Sequence, residues 1–405
     1  MKVAAIITEY NPFHNGHKYQ IDEVRRILGE DTAIIAIMSG NYTQRGEIAV
    51  ADKTERAKAA VLSGVNLVLE LPFPFSSSSA EFFAASGVRI AEDIGIVDYL
   101  AFGVESEYDD ELIKIFARMA SSEYNEALID LSKDNESSAL GYPELCQSAY
   151  NRLYGEELSR EFFTPNNILA SQYIKALCLL NSNIKPLPIK RIGAGYSDGY
   201  KADTALQSAT YIRGAIAEND ISALEYVPNS AKNVYSELIA DGRMPSDISV
   251  LDAAVITHFR LNPPSELTDY FEALGGLYNR LYAQSLKTES IKSLISGTQT
   301  KKYTTARIRR AIINSYIGVT SSDMKRPPLY TQALAMDTKG CELIKKSKKV
   351  SKIPIITKPA SYKDMGEEIV KQRELSSRAD AVFAMTFKKP YPASHEVTFT
   401  PFVKK

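Results

Sequence analysis

Through residue 104, four short apolar runs alternate with three helical patterns, and no other feature of the chain narrows its fold so far. The runs are 3–7, 32–38, 67–71 and 99–104. They are nearly continuous in Val, Ile, Leu and Ala, as expected of strands covered on both faces. Between the first two, Tyr19, Val24, Ile27 and Leu28 follow helical spacing from Gly16. Residues 53–63 read as an alanine-rich helix closed by Gly64, and 81–94 as a third helix. Strand and helix in this rhythm mean βαβ units around a parallel sheet, an α/β fold. In such sheets ligands bind at the carboxyl ends of the strands.

The remaining chain is arranged around this unit. Residues 106–163 are acidic and mostly helical, an expected insertion at the sheet edge. Pro165 opens a helix over 166–180, 187–192 is a further strand, and the turn-rich GAGYSDG (193–199) precedes a helix starting at Ser208. Residues 221–320 are largely helical, while 330–336 and 353–357 read as strands with a Lys-rich helix between them. At about 100–200 residues per domain, a chain of 405 suggests two or three. The expected division is a parallel-sheet domain over 1–220, a helical domain over 221–330 and a small basic α/β part over 331–405.

Net charge is −1, from 48 Lys+Arg and 49 Asp+Glu, which alone points away from a polyanionic partner. The balance is uneven, however. Residues 301–405 hold 22 basic and 9 acidic side chains, net +13, while 1–300 hold 26 and 40, net −14. Blocks of opposite sign suggest an acidic body and a basic module that meets a polyanion. Cys146, Cys178 and Cys341 are widely spaced, so neither a disulfide framework nor a zinc site is expected, nor, with four His in the chain, a His-rich metal site. No apolar run approaches the roughly 18 residues that span a bilayer, and the N-terminus reads as a strand, not a signal peptide. A cytoplasmic protein is expected.

Chemistry concentrates in EYNPFHNGH (9–17), between the first strand and the first helix. Two imidazoles, His14 and His17, stand at a helix start, where unpaired N–H groups and the positive dipole end suit a phosphate. Gly16 is expected to let the backbone pack against a nucleotide. Both His side chains can donate to an α-phosphate under attack, which stabilises charge without a covalent intermediate. The bland alternative is that both merely cap or turn the chain. A second candidate is SATYIR (208–213), where Ser208, Thr210 and the helix start would hold the β- and γ-phosphates and Arg213 would offset charge. Plain N-capping by Ser208 is the alternative there.

The segment resembles the HxGH signature of the HIGH-type nucleotidyltransferase superfamily, which implies a Rossmann-like domain and attack at the α-phosphate of ATP. No KMSKS motif is present, which sets the chain apart from ordinary class I aminoacyl-tRNA synthetases. EYNPFHNGH, MSGNYTQRGEIAVADKTERAKAA (38–60), ELPFPFSSSSAEFFAASGV (70–88), PNNILASQYIKAL (165–177), IKRIGAGYSDG (189–199) and KKYTTARIRRAI (301–312) together resemble the bacterial tRNA(Met) cytidine acetate ligase family along nearly the whole chain. The resemblance implies an enzyme that forms acetyl-adenylate from acetate and ATP, with Mg2+ expected beside the nucleotide. It implies transfer of the acetyl group to N4 of the wobble cytidine (C34) in the anticodon loop of elongator tRNA(Met). It further implies an ATP site made of the loop Ile7, Thr8, Glu9, Tyr10, Asn11, Pro12, Phe13, His14, Asn15, Gly16, His17, Lys18, Tyr19 and Gln20. Gly103, Arg191 and an Asn of PNNILA, Asn166 in preference to Asn167, complete it. No metal ligands and no acetate pocket can be named.

Each of these residues also has a physical reading of its own. A side chain at Gly103, on a strand's carboxyl end, would collide with adenosine. Asn166 starts a helix and can reach a base or ribose, and Arg191 ends a strand where it can meet phosphate. Lys18 can reach the β-phosphate. Gln44 and Arg45, with Gly46, follow the second strand and are placed at the active site or against the transferred cytidine. The basic cluster Lys301, Lys302, Tyr303, Arg307, Arg309 and Arg310 is expected to face tRNA. Arg307 and Arg310 share one helix face while Ile308 and Ile312 turn into a core, and Tyr303 would stack on a base. Lys345, Lys346, Lys348, Lys349, Lys388, Lys389, Lys404 and Lys405 extend the charge. Two other functions fit parts of the pattern: an adenylyltransferase making a small nucleotide cofactor, and a non-catalytic RNA-binding protein. Oligomeric state is not legible.

Overall fold

The structure, a computed structural model, describes residues 1–105, 110–133, 142–155, 162–192, 206–272 and 276–405. Its strands are β1 (Val3–Thr8), β2 (Ala33–Ser39), β3 (Leu67–Leu71), β4 (Tyr99–Val104), β5 (Lys185–Lys190), β6 (Thr331–Asp337), β7 (Ile355–Ile356) and β8 (Phe402–Lys404). They form one sheet in the order β5-β4-β1-β2-β3-β6-β7, with β8 beside β6. The first five strands are parallel. β6 runs antiparallel to β3.

The α-helices are α1 (Asn15–Leu28), α2 (Lys53–Leu62), α3 (Ala80–Asp93), α4 (Asp110–Met119), α5 (Ser122–Lys133), α6 (Tyr142–Tyr154), α7 (Pro165–Leu179) and α8 (Ala209–Ala217). They continue as α9 (Asn229–Ala240), α10 (Asp252–Leu261), α11 (Leu277–Ser285), α12 (Ile291–Thr298), α13 (Thr305–Ile317), α14 (Thr338–Ser347), α15 (Glu367–Phe383) and α16 (His395–Thr398). GAGYSDG and parts of the 106–163 insertion lie outside the described residues.

Alternation along the strands divides the core in two. Ala4, Ile6, Ile34 and Ala36 face one side, with Ile21 of α1, Ala60 of α2 and Tyr235 of α9. Val3, Ala5, Ile35 and Ile37 face the other, with Val88 of α3 and Ile174 of α7. Both faces are therefore covered, which explains the unbroken apolar runs. A separate helical core joins α10 to α13 through Val255, Phe259, Leu281, Leu294, Ile308 and Ile312.

The segment from 331, expected as a small basic α/β part, joins the main sheet. β6 extends the main sheet by closing the outer edge of β3, and its Ala333, Leu334 and Ala335 are fully buried. An unpaired β3 edge would leave backbone N–H and C=O groups open to other chains. A buried ionic cluster fastens the same junction. Lys53 of α2 pairs with Glu70 of β3 at 2.8 Å, Asp380 of α15 at 2.7 Å and Glu396 of α16 at 2.9 Å. Arg373 of α15 pairs with Glu396 at 2.5 Å.

Candidate active site

β1 delivers the chain into the loop 9–14, at the carboxyl end of the parallel strands. Tyr10 takes a left-handed φ of 44°, strained for an aromatic residue. Its ring lies with centroids 4.8 Å from both Phe13 and His17. Arg56, fully buried on α2, donates to Glu9 O at 2.5 Å and Ser39 O at 3.2 Å, and also to Gly40 O. One guanidinium thus ties the ends of β1 and β2 together. Asn11 Oδ1 accepts from Val50 N at 2.7 Å, and Phe13 N donates to the Tyr235 hydroxyl at 2.9 Å.

His14 is the N-cap of α1. Its Nδ1 accepts from Gly16 N at 3.0 Å, and His17 Nδ1 accepts from His14 N at 3.2 Å. A ring nitrogen that accepts carries no proton, so each neutral imidazole holds its hydrogen on Nε2. Burial, then the charges of Arg191 and Arg213, push His14 down to about 3. Burial, then His14 and Arg191, lower His17 well below its ordinary value. Both rings are therefore neutral donors near pH 7, with centroids 3.8 Å apart. Capping and a functional role are compatible, because they use different nitrogens. A Cβ on Gly16 would lie 2.9 Å from His14 Cε1. The His14 ring by itself therefore excludes a side chain at Gly16.

Two arginines flank the pair. Arg213 of α8 donates to Asn11 O at 2.8 Å and to Glu47 at 3.0 Å. Ser208 is the N-cap of α8, accepting from Tyr211 N at 3.1 Å, while Thr210 is exposed and 3.5 Å from Arg213. Arg191 lies across Gly103, where a Cβ would stand 3.1 Å from Arg191 Cγ. Gly103 therefore makes room for the Arg191 side chain. Asn167 is buried, accepting from Glu105 N at 3.1 Å and donating to Phe162 O at 2.9 Å. Half-buried Asn166 reaches Glu105 Oε1 at 2.5 Å. Ile7 and Thr8 close β1, Pro12 sits within the loop, and Asn15 begins α1. Lys18 pairs with Asp22 one turn along, and Tyr19 and Gln20 are half-buried beyond it.

The loop after β2 docks on the same place. Gln44 N donates to Glu9 Oε1 at 3.0 Å, and burial raises the Glu9 carboxyl above its ordinary value. Arg45 is exposed and its charge partly opposes that rise. Gly46 has φ of 70°, and a Cβ on it would stand 2.5 Å from Arg310 N, so only glycine lets this loop sit against α13.

The basic cluster itself divides. Lys301 and Lys302 are exposed. Tyr303 is buried, with Lys302 Nζ and Arg307 Cζ each 5.6 Å from its ring centroid, so it is not the expected open platform for a base. Arg307 and Arg310 do share a face, but that face turns to Glu272, at 3.1 and 2.8 Å. Arg310 is buried and also donates to Gln44 O at 3.4 Å. The pairing has a plain cause: a guanidinium in a packed interface must be paired, or its desolvation is uncompensated. Arg309 pairs with Glu47, and Ile308 and Ile312 enter the helical core. Arg56, Glu47 and Glu272 were not singled out from the sequence. Arg56 left a faint trace there, a charge among the alanines of 53–63. Among the described residues, no group of three or more His, Cys, Asp or Glu side chains could hold a metal ion, and no helix is long and apolar enough to cross a membrane.

The family described as HIGH Nucleotidyl Transferase matches residues 1–397. A tRNA(Met) cytidine acetate ligase of Caldanaerobacter subterraneus subsp. tengcongensis is 34% identical over 410 residues, covering 100% of both chains. The chain belongs to the tRNA(Met) cytidine acetate ligase family. A member from Acetivibrio thermocellus is 32% identical over 403 residues, covering 96% of each chain. A crystal structure of Thermotoga maritima TmcAL bound with alpha-thio ATP matches with a TM-score of 0.89 at 27% identity, over 100% of this chain and 99% of that one. The apo form of that protein matches with the same TM-score of 0.89. The expected family, its α/β fold with a mainly parallel sheet, and its membership among ligases are borne out.

Proposed function

We propose that this chain is an ATP-dependent acetate ligase acting on the wobble cytidine of elongator tRNA(Met). The observation that carries the reading is the pair of neutral imidazoles at the start of α1, each capping through Nδ1 and keeping its Nε2–H for a ligand. In the first step a carboxylate oxygen of acetate attacks the α-phosphorus of ATP. The bond to pyrophosphate breaks, and negative charge grows on the α-phosphate oxygens. The His14 and His17 Nε2–H groups would receive it, and neither ring has to change protonation. Arg191 and Arg213 supply positive charge beside them. Gly103 and Asn166 would lie toward the nucleoside.

In the second step the cytidine N4 attacks the acetyl carbonyl carbon. The C–N bond forms, the bond to the AMP oxygen breaks, and N4 gives up a proton. The product is N4-acetylcytidine. ATP as co-substrate draws support from the alpha-thio ATP in the Thermotoga maritima structure. Mg2+ would be held chiefly by ATP's own phosphates, since no cluster of metal-binding side chains converges among the described residues. Exposed Lys301 and Lys302 would meet RNA phosphate, and the cytoplasm is where ATP and tRNA are both at hand.

The test supplies purified protein with ATP, labelled acetate and unmodified tRNA. Acetate-dependent ATP–pyrophosphate exchange, and label entering tRNA(Met) alone, are expected. Label in a small nucleotide without RNA would make it a cofactor adenylyltransferase. The absence of any ATP turnover would leave only an RNA-binding role.

A further inference from the structure

A cavity of about 400 Å3 lies beside the HxGH loop, separated from it by Arg213. One wall is a face of α8 carrying Thr210, Gly214 and Ala217. The opposite wall is aliphatic, built from Ile48, Ile248, Ile291, Ile295 and Ile312. Glu47, Arg309 and Asp247 also line it, and Glu47 is gripped by Arg213 at 3.0 Å and by Arg309. The same short loop carries Gln44, which hydrogen-bonds Glu9 of the HxGH segment. The cavity and the candidate adenylation site therefore share a wall.

Gly214 gives the cavity meaning. It sits inside α8, where glycine costs about 1 kcal/mol relative to alanine. Nothing lies within 4 Å of the Cβ it lacks, and its φ is not among the positive ones. Neither packing nor backbone geometry asks for glycine there. What its absent side chain preserves is space, in a recess too large for acetate and within the roughly 300–1,000 Å3 range of ligand pockets.

We infer that this cavity receives the pyrimidine base of the acceptor nucleotide, unstacked from its RNA loop. The inference rests on the acetate ligase reading and adds the place where the second substrate enters. Aliphatic walls suit the two faces of a base. The Glu47 and Asp247 carboxylates offer acceptors for an exocyclic amine, and the Arg213 and Arg309 guanidiniums offer donors for the ring carbonyl and flat surfaces for stacking. A base that must present its amine to a reacting carbonyl has to leave the stack. Arg213, bound at once to the HxGH loop and to the cavity's rim, aligns the two half-reactions.

The test is Gly214→Leu, with Gly214→Ala beside it. Leucine favours helix and meets open space, so thermal stability should equal or exceed that of the wild type. Acetate-dependent ATP–pyrophosphate exchange should stay within about twofold, while kcat/KM for acetyl transfer to tRNA(Met) falls by roughly tenfold or more. Unchanged transfer in Gly214→Leu would overturn the assignment. So would equal loss of exchange and transfer in a folded protein, which would give the cavity to the activation step. A wild-type protein with no acetate-dependent exchange would instead withdraw the acetate ligase reading itself.

Discussion

A histidine that caps a helix through Nδ1 is confined to one tautomer, and at α1 this confinement separates stability from chemistry. His14→Asn keeps a favoured capping side chain, so unfolding stability should change by no more than about 0.5–1 kcal/mol. It removes the Nε2–H donor, so acetate-dependent ATP–pyrophosphate exchange should fall by about 10²–10³-fold. Equal, large losses of both would mean that capping is the residue's whole role. Because His14 is held at about 3, exchange should show no inflection near its ordinary value of 6.5 from this ring. Its lowered value also means that its contribution to stability is present above 6.5 and is lost as pH falls toward 3. The two histidines were legible in the sequence because strand, HxGH and helix follow one another without a gap. Glu47 and Arg56 were not. Which way a charged side chain points is decided by elements distant in sequence, as with Arg56 reaching Ser39 and Glu9. Gly16 and Gly103 were legible as positions, but the packing of His14 and Arg191 against them was not.

Among elements, α2, β3, α15 and α16 meet at Lys53. Burial disfavours its charge, but Asp380, Glu396 and Glu70 outweigh that and raise it well above its ordinary value. Lys53→Met would leave three carboxylates in the interior without their ammonium. It should destabilise the protein by about 3–5 kcal/mol, read from denaturant unfolding. Asp380→Asn should be much milder, because burial and Glu396 already push its carboxyl up to about 7. The sign follows from that rise: the Asp380 contribution is full below about 3.8 and is lost as pH climbs through about 7. The unfolding midpoint of Asp380→Asn relative to wild type should therefore improve from pH 5 to pH 8. A constant difference across that range would mean that Asp380 ionises normally in its cluster. The helices of this junction could be read from periodicity, but their partnership could not. Lys53 and Asp380 are 327 residues apart, and no local pattern reports such a contact.

At the scale of the molecule, the basic surplus of the last hundred residues is not one surface. Lys301 and Lys302 precede α13, which docks on the loop beside Glu9. Lys345, Lys346, Lys348 and Lys349 lie on the far side. β6 is antiparallel, so it carries α14 to the edge where the parallel strands begin, and there Ser347 Oγ bonds Ile94 O at 2.6 Å. Salt-dependent tRNA binding should therefore respond unequally. Lys301→Gln with Lys302→Gln should weaken it and flatten its salt slope, whereas replacing all four α14-end lysines by Gln should change it less. The reverse ranking would place the RNA across the opposite edge. Composition announced the charge, but only strand direction could say where it goes.

That same strand sets an order of events during synthesis. The ribosome releases residues 1–105 with the HxGH loop and most of the parallel strands early, yet β3 must wait for β6 to emerge more than two hundred residues later. Until then the sheet holds an open edge, the kind that pairs with a neighbouring nascent chain. The interval during which this protein is most exposed to misassembly is thus fixed by where β6 lies in the gene, not by the strength of any contact in the finished molecule.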